Sequence, residues 1–381
     1  MIYLDNNATT MCAREVRQKM EPFFSDEYGN PSSLYEFGAR ARQAVEESRT
    51  EVAQILGARQ GREMMFTSSG TESNHTAIRS ALKANPMRRR IVTTQVEHSS
   101  IRNLCQLLSG EGYDVISVGV SKSGALDQEM FVDALTDEVA VVSVMWANNE
   151  TGVLFPIDQI AQTVKRRGIV LHVDAVQAVG KIPINLSHTP IDFLSFSAHK
   201  FHGPKGIGAL YIREGSSFFP LFVGGHQERD RRAGTENVSG ILGLACALKI
   251  QVDSFHKESG RIGSLRDRLE EGLLHQIPAS FVSGREHPRI PNTMNITIPG
   301  IEAEALLIRL SQAGIAASSG SACLTGALEP SHVLMAMGHS EALASSSLRF
   351  SLSRYTTSDE IDSALKTIPA LVEELREISK V

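Results

Sequence analysis

The chain has 381 residues, 21% of them charged and 42% hydrophobic, and a formal net charge of -5. That length exceeds one small core and predicts two domains at ~100–200 residues each, while the balance of residue types excludes a disordered or fibrous chain. The slightly acidic charge argues against a basic nucleic-acid groove, and the short basic run Met87–Arg90 reads as a solvated face.

The opening MIYLDNNATT carries Asp and Asn where an export signal needs a basic end followed by an apolar run. No run approaches the ~18 uninterrupted apolar residues of a membrane span. Cys12, Cys105, Cys246 and Cys323 are scattered without a C-x-x-C pair, so a zinc site or redox dithiol is not expected and a reducing cytoplasm is. From about Glu63 to Arg213, short apolar runs alternate with helix-length amphipathic stretches, the rhythm of an α/β fold with a mostly parallel sheet covered by helices. Seven strands are predicted, at Glu63–Thr67, Arg90–Thr94, Asp114–Val118, Val139–Met145, Ile169–Val173, Phe193–Phe196 and Gly208–Ile212. Val139–Met145 is almost wholly apolar and β-branched, as a strand buried on both faces requires.

A Gly-rich loop from Val223 to Gly240 precedes a helical pattern in which Ile262, Leu265, Leu269, Leu273 and Ile277 recur at helical spacing. This pattern leads into a smaller α+β domain with a strand at Thr293–Ile298, a helix at Glu302–Gln312 and a closing helix from Ser358. Thr357 and Glu360 predict a capping box for that helix, and Pro369 predicts a kink. The expected division is a large domain, 12–258, and a small one formed by 1–11 and 259–381.

In an open parallel sheet, ligands sit beyond the carboxyl ends of the strands. After the first predicted strand, SSGTESNHTAI opens a helix whose free N–H groups at Ser69, Gly70 and Thr71 suit a phosphate; the same turn also reads as an ordinary Ser/Thr cap. The later strand ends bring His98, Asn148 and Asn149, Asp174 and Gln177, then Ser197, His199 and Lys200. Singly, each fits a satisfied structural group. Together they meet the needs of pyridoxal phosphate: a lysine for the Schiff base, an acid for the pyridinium nitrogen and donors for the phosphate. Lys200 supplies the first and Asp174 the second. His98 is placed to stack over the ring, Gln177 and Asn149 to bond its oxygen, and Thr71, Ser197 and His199 to hold the phosphate. A metal reading of His199 and His202 in HKFHG needs both on one helical face, which Gly203 and Pro204 interrupt. GPKGIG lacks the lysine-plus-hydroxyl ending of a P-loop.

YLDNNATT, SSGTESNHTAI, TTQVEHSS, ANNETG, HVDAVQ, SFSAHKFHGPKGIGALY, RRAGTEN, SSGSACLTGALEPSHVL and LRFSLSRYT, in this order from Tyr3 to Thr356, resemble the cysteine desulfurases of the NifS and IscS type. The resemblance implies the fold-type I architecture of pyridoxal-phosphate enzymes, a homodimer with active sites near the subunit interface, and conversion of L-cysteine to L-alanine with transfer of sulfur. By the same resemblance Lys200 binds the cofactor, Asp174 meets the pyridine nitrogen, Gln177 meets the ring oxygen, and His98 stacks and moves protons. Thr71, Ser197 and His199 look like the phosphate ligands beside Gly70 of the same turn, joined by Thr235 from the other subunit. Arg349, assisted by Asn149, resembles the clamp on the substrate carboxylate, for which a bidentate guanidinium is suited.

Cys323 sits among Ser, Gly and Ala, which leaves little to bury and favours an exposed thiol that collects sulfur as a persulfide. Cys12, Cys105 and Cys246 have apolar neighbours and read as inert. The Cys323 segment resembles the branch with the longer catalytic loop. The ending EELREISKV lacks the extended tail of IscS, and Trp146 and His75 also differ from it, which points to the NifS-like form. The implied acceptor is an iron–sulfur scaffold or another persulfide-accepting protein. The alternatives on the same fold are an aminotransferase, a selenocysteine lyase, or an added sulfur-relay role.

Overall fold

The computed structural model describes residues 1–320 and 330–378. Its central seven-stranded sheet runs, in spatial order, Met64–Thr67, Gly208–Ile212, Phe193–Ser197, Val170–Asp174, Val139–Met145, Arg90–Thr94, Asp114–Val118. Gly208–Ile212 is antiparallel to both of its neighbours, and the remaining pairings are parallel. Arg90–Thr94, Asp114–Val118, Val139–Met145 and Gly208–Ile212 stand at the expected bounds, and the others differ by one residue. Glu63 drops out of its strand because its carboxylate accepts from the backbone N–H groups of Arg59 (2.7 Å) and Gln60 (3.1 Å), which tightens a 3₁₀ turn. Every residue of Val139–Met145 is buried, as its unbroken apolar run demands.

Two helices that the strand-led reading passed over, Arg14–Met20 and Glu36–Ile55, pack on the long helix Val238–Gln276. The first half of that long helix is apolar and long enough to cross a membrane by length and composition. Here Ile241, Leu244, Ala245 and Leu248 are buried in the core beside the sheet. Its second half turns Leu269 and Leu273 into another cluster with Met294, Ile296, Leu306, Leu348, Phe350, Ile361 and Ile368. Leu4 belongs to this second cluster too. The first residues run in parallel beside Ile315–Ala316, and the Leu4 carbonyl accepts from Ser351 N at 2.7 Å.

In the C-terminal part, Thr293–Thr297 pairs antiparallel with Ser347–Ser351 on one side and Phe281–Val282 on the other. Ser347–Ser351 was hidden to periodicity because both of its faces are covered, all five residues being buried. The capping box forms: Thr357 N donates to Glu360 (2.9 Å) and Glu360 N to Thr357 Oγ1 (3.2 Å). Pro369 lies inside a helix assigned without interruption from Ser358 to Ile378.

The loop between the sheet and the long helix is fastened by charge. Arg49 and Glu228, both buried, form a two-pronged pair at 2.6 and 2.9 Å, and Glu228 also accepts from Phe66 N at 3.0 Å. Glu228, Arg229 and Asp230 hold left-handed backbone, which non-glycine residues adopt only where surroundings impose it. Arg232 then reaches Glu72 at 2.9 Å and ties the loop to the start of the helix Gly70–Ala84.

Candidate active site

Beyond the carboxyl ends of the central strands lies a cavity of about 640 Å³ whose wall includes Gly70, Thr71, His98, Asn149, Asp174, Gln177, Ser197, His199, Lys200 and Arg349. The parallel register delivers most of these, since adjacent strands end at one level. Asp174 closes Val170–Asp174, Ser197 closes Phe193–Ser197, and the short turn Ala198–Lys200 follows at once.

At one end, Ser69 caps the helix Gly70–Ala84 by accepting from Glu72 N at 3.2 Å, so the helix points its positive end into the cavity. A Cβ at Gly70 would stand 2.7 Å from Val176 Cγ2, so only glycine lets the turn come this close. Thr71 and Ser197 flank it, with Ser197 Oγ donating to the Ile207 carbonyl at 3.3 Å. His199 shares a hydrogen bond of 3.1 Å with Thr9 Oγ1, and burial, reinforced by the charges of Lys200, Lys205 and Lys181, lowers its imidazole to about 4.

Asp174 is buried and holds two acceptor bonds, from Asn74 Nδ2 at 2.8 Å and Val176 N at 2.9 Å. The same Asn74 nitrogen donates to Ser100 Oγ at 3.0 Å, and Ser100 stands 3.0 Å by its hydroxyl and 3.1 Å by its N–H from His98 Nδ1. His98 Nδ1 is therefore an acceptor, and the ring proton sits on Nε2. The ring faces the open cavity, yet its walls desolvate it and draw its pKa below the ordinary value, with Asp174 opposing and Lys200 assisting.

Lys200 donates to the carbonyls of Asn7 (2.7 Å) and Ala8 (2.9 Å). Desolvation, then the charge of Arg349, lowers its ammonium to about 8 against the pull of Asp174 and Asp5. Arg349 is buried, its two terminal nitrogens on the Asn149 carbonyl (3.1 Å) and Asp5 (2.7 Å), and its Nε has no partner among the described residues. Gln177 donates to the Asn7 carbonyl at 3.0 Å and accepts from Lys181, which also donates to Asn7 Oδ1 at 2.9 Å.

The hub that sequence reasoning missed is Asn7. Its backbone or side chain meets Lys200, Gln177, Lys181, Asn149, Thr293 and Asn292. The signal was the polar run LDNNATT, where an N-terminal strand has no reason to carry two successive amides. Asn74, Ser100 and Lys181 were missed as well. His202, raised as a metal partner of His199, has φ +68 and its Nδ1 shares a bond of 2.9 Å with the Met11 carbonyl, so the two imidazoles do not share a helical face. Among the described residues no cluster of three His, Cys, Asp or Glu is arranged for a metal ion. Burial raises the thiols of Cys12, Cys105 and Cys246, Cys105 to about 12. Cys323 lies outside the described residues.

The sequence pattern of the family Aminotransferase class-V matches residues 2–364. Cysteine desulfurase NifS of Azotobacter vinelandii is 52% identical over 99% of this chain and 94% of its own length. Cysteine desulfurase 2 of Trichormus variabilis is 53% identical over the whole chain and 95% of its own length. A solved NifS-like protein superposes with a TM-score of 0.93 at 36% identity, covering 98% of this chain and all of its own, and one from Rickettsia africae with 0.89 at 33%, covering 98% and 99%. The chain belongs to the cysteine desulfurases of the class-V aminotransferase family.

Cysteine desulfurases use pyridoxal 5'-phosphate, and the cavity fits it. A carboxylate that accepts from two donors, a lysine with a lowered pKa, a glycine-lined helix start and a buried guanidinium nitrogen with no partner among the described residues meet in one space. Thr235 is exposed on the fastened loop and does not line this cavity. A test of the lysine follows from its lowered pKa. Because only the neutral amine attacks an aldehyde, capture of added pyridoxal phosphate by the apoprotein should rise about tenfold per pH unit and level off above about 8. A plateau near the ordinary lysine value of about 10.4, read by stopped-flow absorbance, would contradict the environment described for Lys200.

Proposed function

We propose that this cysteine desulfurase converts L-cysteine to L-alanine and stores the sulfur as a persulfide on Cys323. The observation that carries the assignment of residues is the meeting of Lys200, Asp174, His98 and Arg349 on one cavity, with the lysine already lowered toward neutrality. Bound pyridoxal phosphate supplies an electron sink for the pair left when the substrate Cα loses its proton.

The chain's own residues do the rest. Asp174, held as an acceptor by Asn74 and Val176, keeps a proton on the ring nitrogen. Gln177 and Asn149 would meet the ring oxygen, and Lys181 fixes which end of the Gln177 amide donates. Gly70, Thr71, Ser197 and His199 receive the phosphate, and Thr235 serves a second copy of the chain in a homodimer. His98, with its Nδ1 held by Ser100, would lie against the cofactor ring and present its Nε2–H. Lys200, a fraction of it neutral near pH 7, binds the cofactor and takes the Cα proton. Arg349 turns from Asp5 and the Asn149 carbonyl to the substrate carboxylate. The Cys323 thiolate attacks the substrate sulfur, the C–S bond breaks, and its electron pair stays with the carbon fragment that is protonated to alanine.

The sulfur then passes to an iron–sulfur scaffold or another persulfide acceptor in the cytoplasm, where free thiols persist. The chain divides into a large cofactor domain, 12–258, and a small one, 1–11 with 259–381; the cluster that unites Leu4 with Leu269, Phe350 and Ile361 supports this. Protein treated with L-cysteine should show one extra sulfur on the peptide containing Cys323, lost on reduction, with one alanine released per sulfur gained. Release of a keto acid with no added sulfur would overturn the proposal.

A further inference from the structure

The turn after Val139–Met145 sets two successive residues in different surroundings. Asn148 Oδ1 accepts from the N–H groups of Glu150 and Thr151, each at 2.9 Å, and sets the turn. The Asn149 carbonyl faces Arg349 at 3.1 Å, whereas Glu150 is driven inside and left 2% exposed. Its Oε2 accepts from Ser331 Oγ, which in turn accepts from Leu334 N at 3.2 Å and caps the helix His332–Ala336. Gly320 lies against the same oxygen: a Cβ there would fall inside contact distance of Glu150 Oε2 and stand 2.9 Å from Ser331 Cβ.

Gly320 and Ser331 flank residues 321–329, the stretch that contains Cys323. Both flanks have further anchors at the cavity. Ser318 pairs with Arg349 through Arg349 N to Ser318 O (2.6 Å) and Ser318 N to Arg349 O (3.2 Å). On the other side His332 Nε2 lies 2.9 Å from the Glu97 carbonyl, next to His98. A buried carboxyl is an expensive way to fill space, since an apolar side chain avoids its desolvation. Burial raises Glu150 to about 7, with Ser331, Arg349 and Arg102 drawing it back down. What the carboxyl provides is a fixed point shared by both flanks.

We propose that Glu150 is a positioning residue for sulfur transfer, its carboxyl joining Gly320 to Ser331 and registering both against Arg349. This rests on the reading above, in which Cys323 accepts sulfur and Arg349 takes the substrate carboxylate. Two residues lie between Gly320 and Cys323 in the sequence, which keeps Cys323 within about 10 Å of this anchor even at full extension. A misplacement of about 1 Å at a reacting group can reduce rate by ~10²-fold.

The test uses holoenzyme carrying Glu150→Ala, Glu150→Gln or Gly320→Ala, with L-cysteine as the probe. Substrate binding is read from the absorbance change of the bound cofactor on mixing, and sulfur transfer from quenched samples by mass spectrometry of the Cys323 peptide. Glu150→Ala and Gly320→Ala should keep the absorbance change and KM within about twofold while persulfide formation slows by about tenfold or more. Glu150→Gln, whose amide oxygen still accepts from Ser331, should return it to within about threefold. Wild-type persulfide rates in Glu150→Ala and Gly320→Ala overturn the role of Glu150. A parallel fall of both steps that Gln does not rescue also overturns it, because it marks a merely structural group. Turnover of the wild type with no sulfur on Cys323 refutes the Cys323 assignment itself, and the role of Glu150 falls with it.

Discussion

Lys200→Ala should yield a folded protein that no longer carries pyridoxal phosphate in a borohydride-reducible linkage, with alanine formation reduced by about 10²–10⁴-fold. The side chain is half-buried and its bonds go to two carbonyls, Asn7 and Ala8, so little of the core depends on it. The site offers two competing amines, Lys181 and Lys205, of which Lys205 lines the same cavity. Lys181 is also desolvated, and its pKa is driven well below the ordinary value, so its neutral form is accessible too. Lys181, however, is spent on Asn7 Oδ1 and Gln177 Oε1, and it lines a neighbouring pocket of only about 50 Å³ rather than the large cavity. Borohydride reduction followed by peptide mapping separates the three. Label that persists in Lys200→Ala and maps to Lys181 or Lys205 would show that the wrong lysine has been assigned.

Much of the cavity was legible because a parallel sheet places successive strand ends on one edge. Once Val139–Met145 or Phe193–Phe196 is read from its apolar run, the polar residues that follow are confined to that edge whatever the detailed packing. Asp174, His98 and Lys200 could be named on that ground, and the same edge holds them in the structure. Asn7 could not. It lies 193 residues from Lys200 in sequence, and it reaches the site because the first residues pair beside Ile315–Ala316 and Ser351, which no local periodicity encodes. Ser347–Ser351 was equally opaque, because a short strand with every residue buried shows no alternation. The Asn74–Ser100–His98 chain was hidden for a different reason. Its members are ordinary helix-start residues until distances show that one amide serves the acid directly and the imidazole through the Ser100 hydroxyl. Glu150, too, sits in ANNETG without a local sign that it turns inward while Asn149 lines the cavity.

Cys323→Ser should lose alanine formation by on the order of 10³-fold or more while binding pyridoxal phosphate and L-cysteine normally. The two halves of that expectation rest on different atoms. In the proposed reading, cofactor and substrate capture use Lys200, Asp174 and Arg349, which line the cavity and which the substitution leaves in place. Breaking the C–S bond needs a thiolate, because a serine hydroxyl is a poor nucleophile toward sulfur and cannot carry a persulfide. The other three thiols offer no substitute, since burial raises each of them and none lines the cavity. The variant should therefore accumulate bound substrate, seen as a cysteine-dependent change in cofactor absorbance that does not decay. An aminotransferase on this fold would make a keto acid and be indifferent to the change. Full alanine and sulfide production by Cys323→Ser would remove Cys323 from the reaction, and with it the persulfide, but it would leave the assignments of Lys200 and Asp174 standing, because their test is the loss of reducible cofactor and not the fate of sulfur.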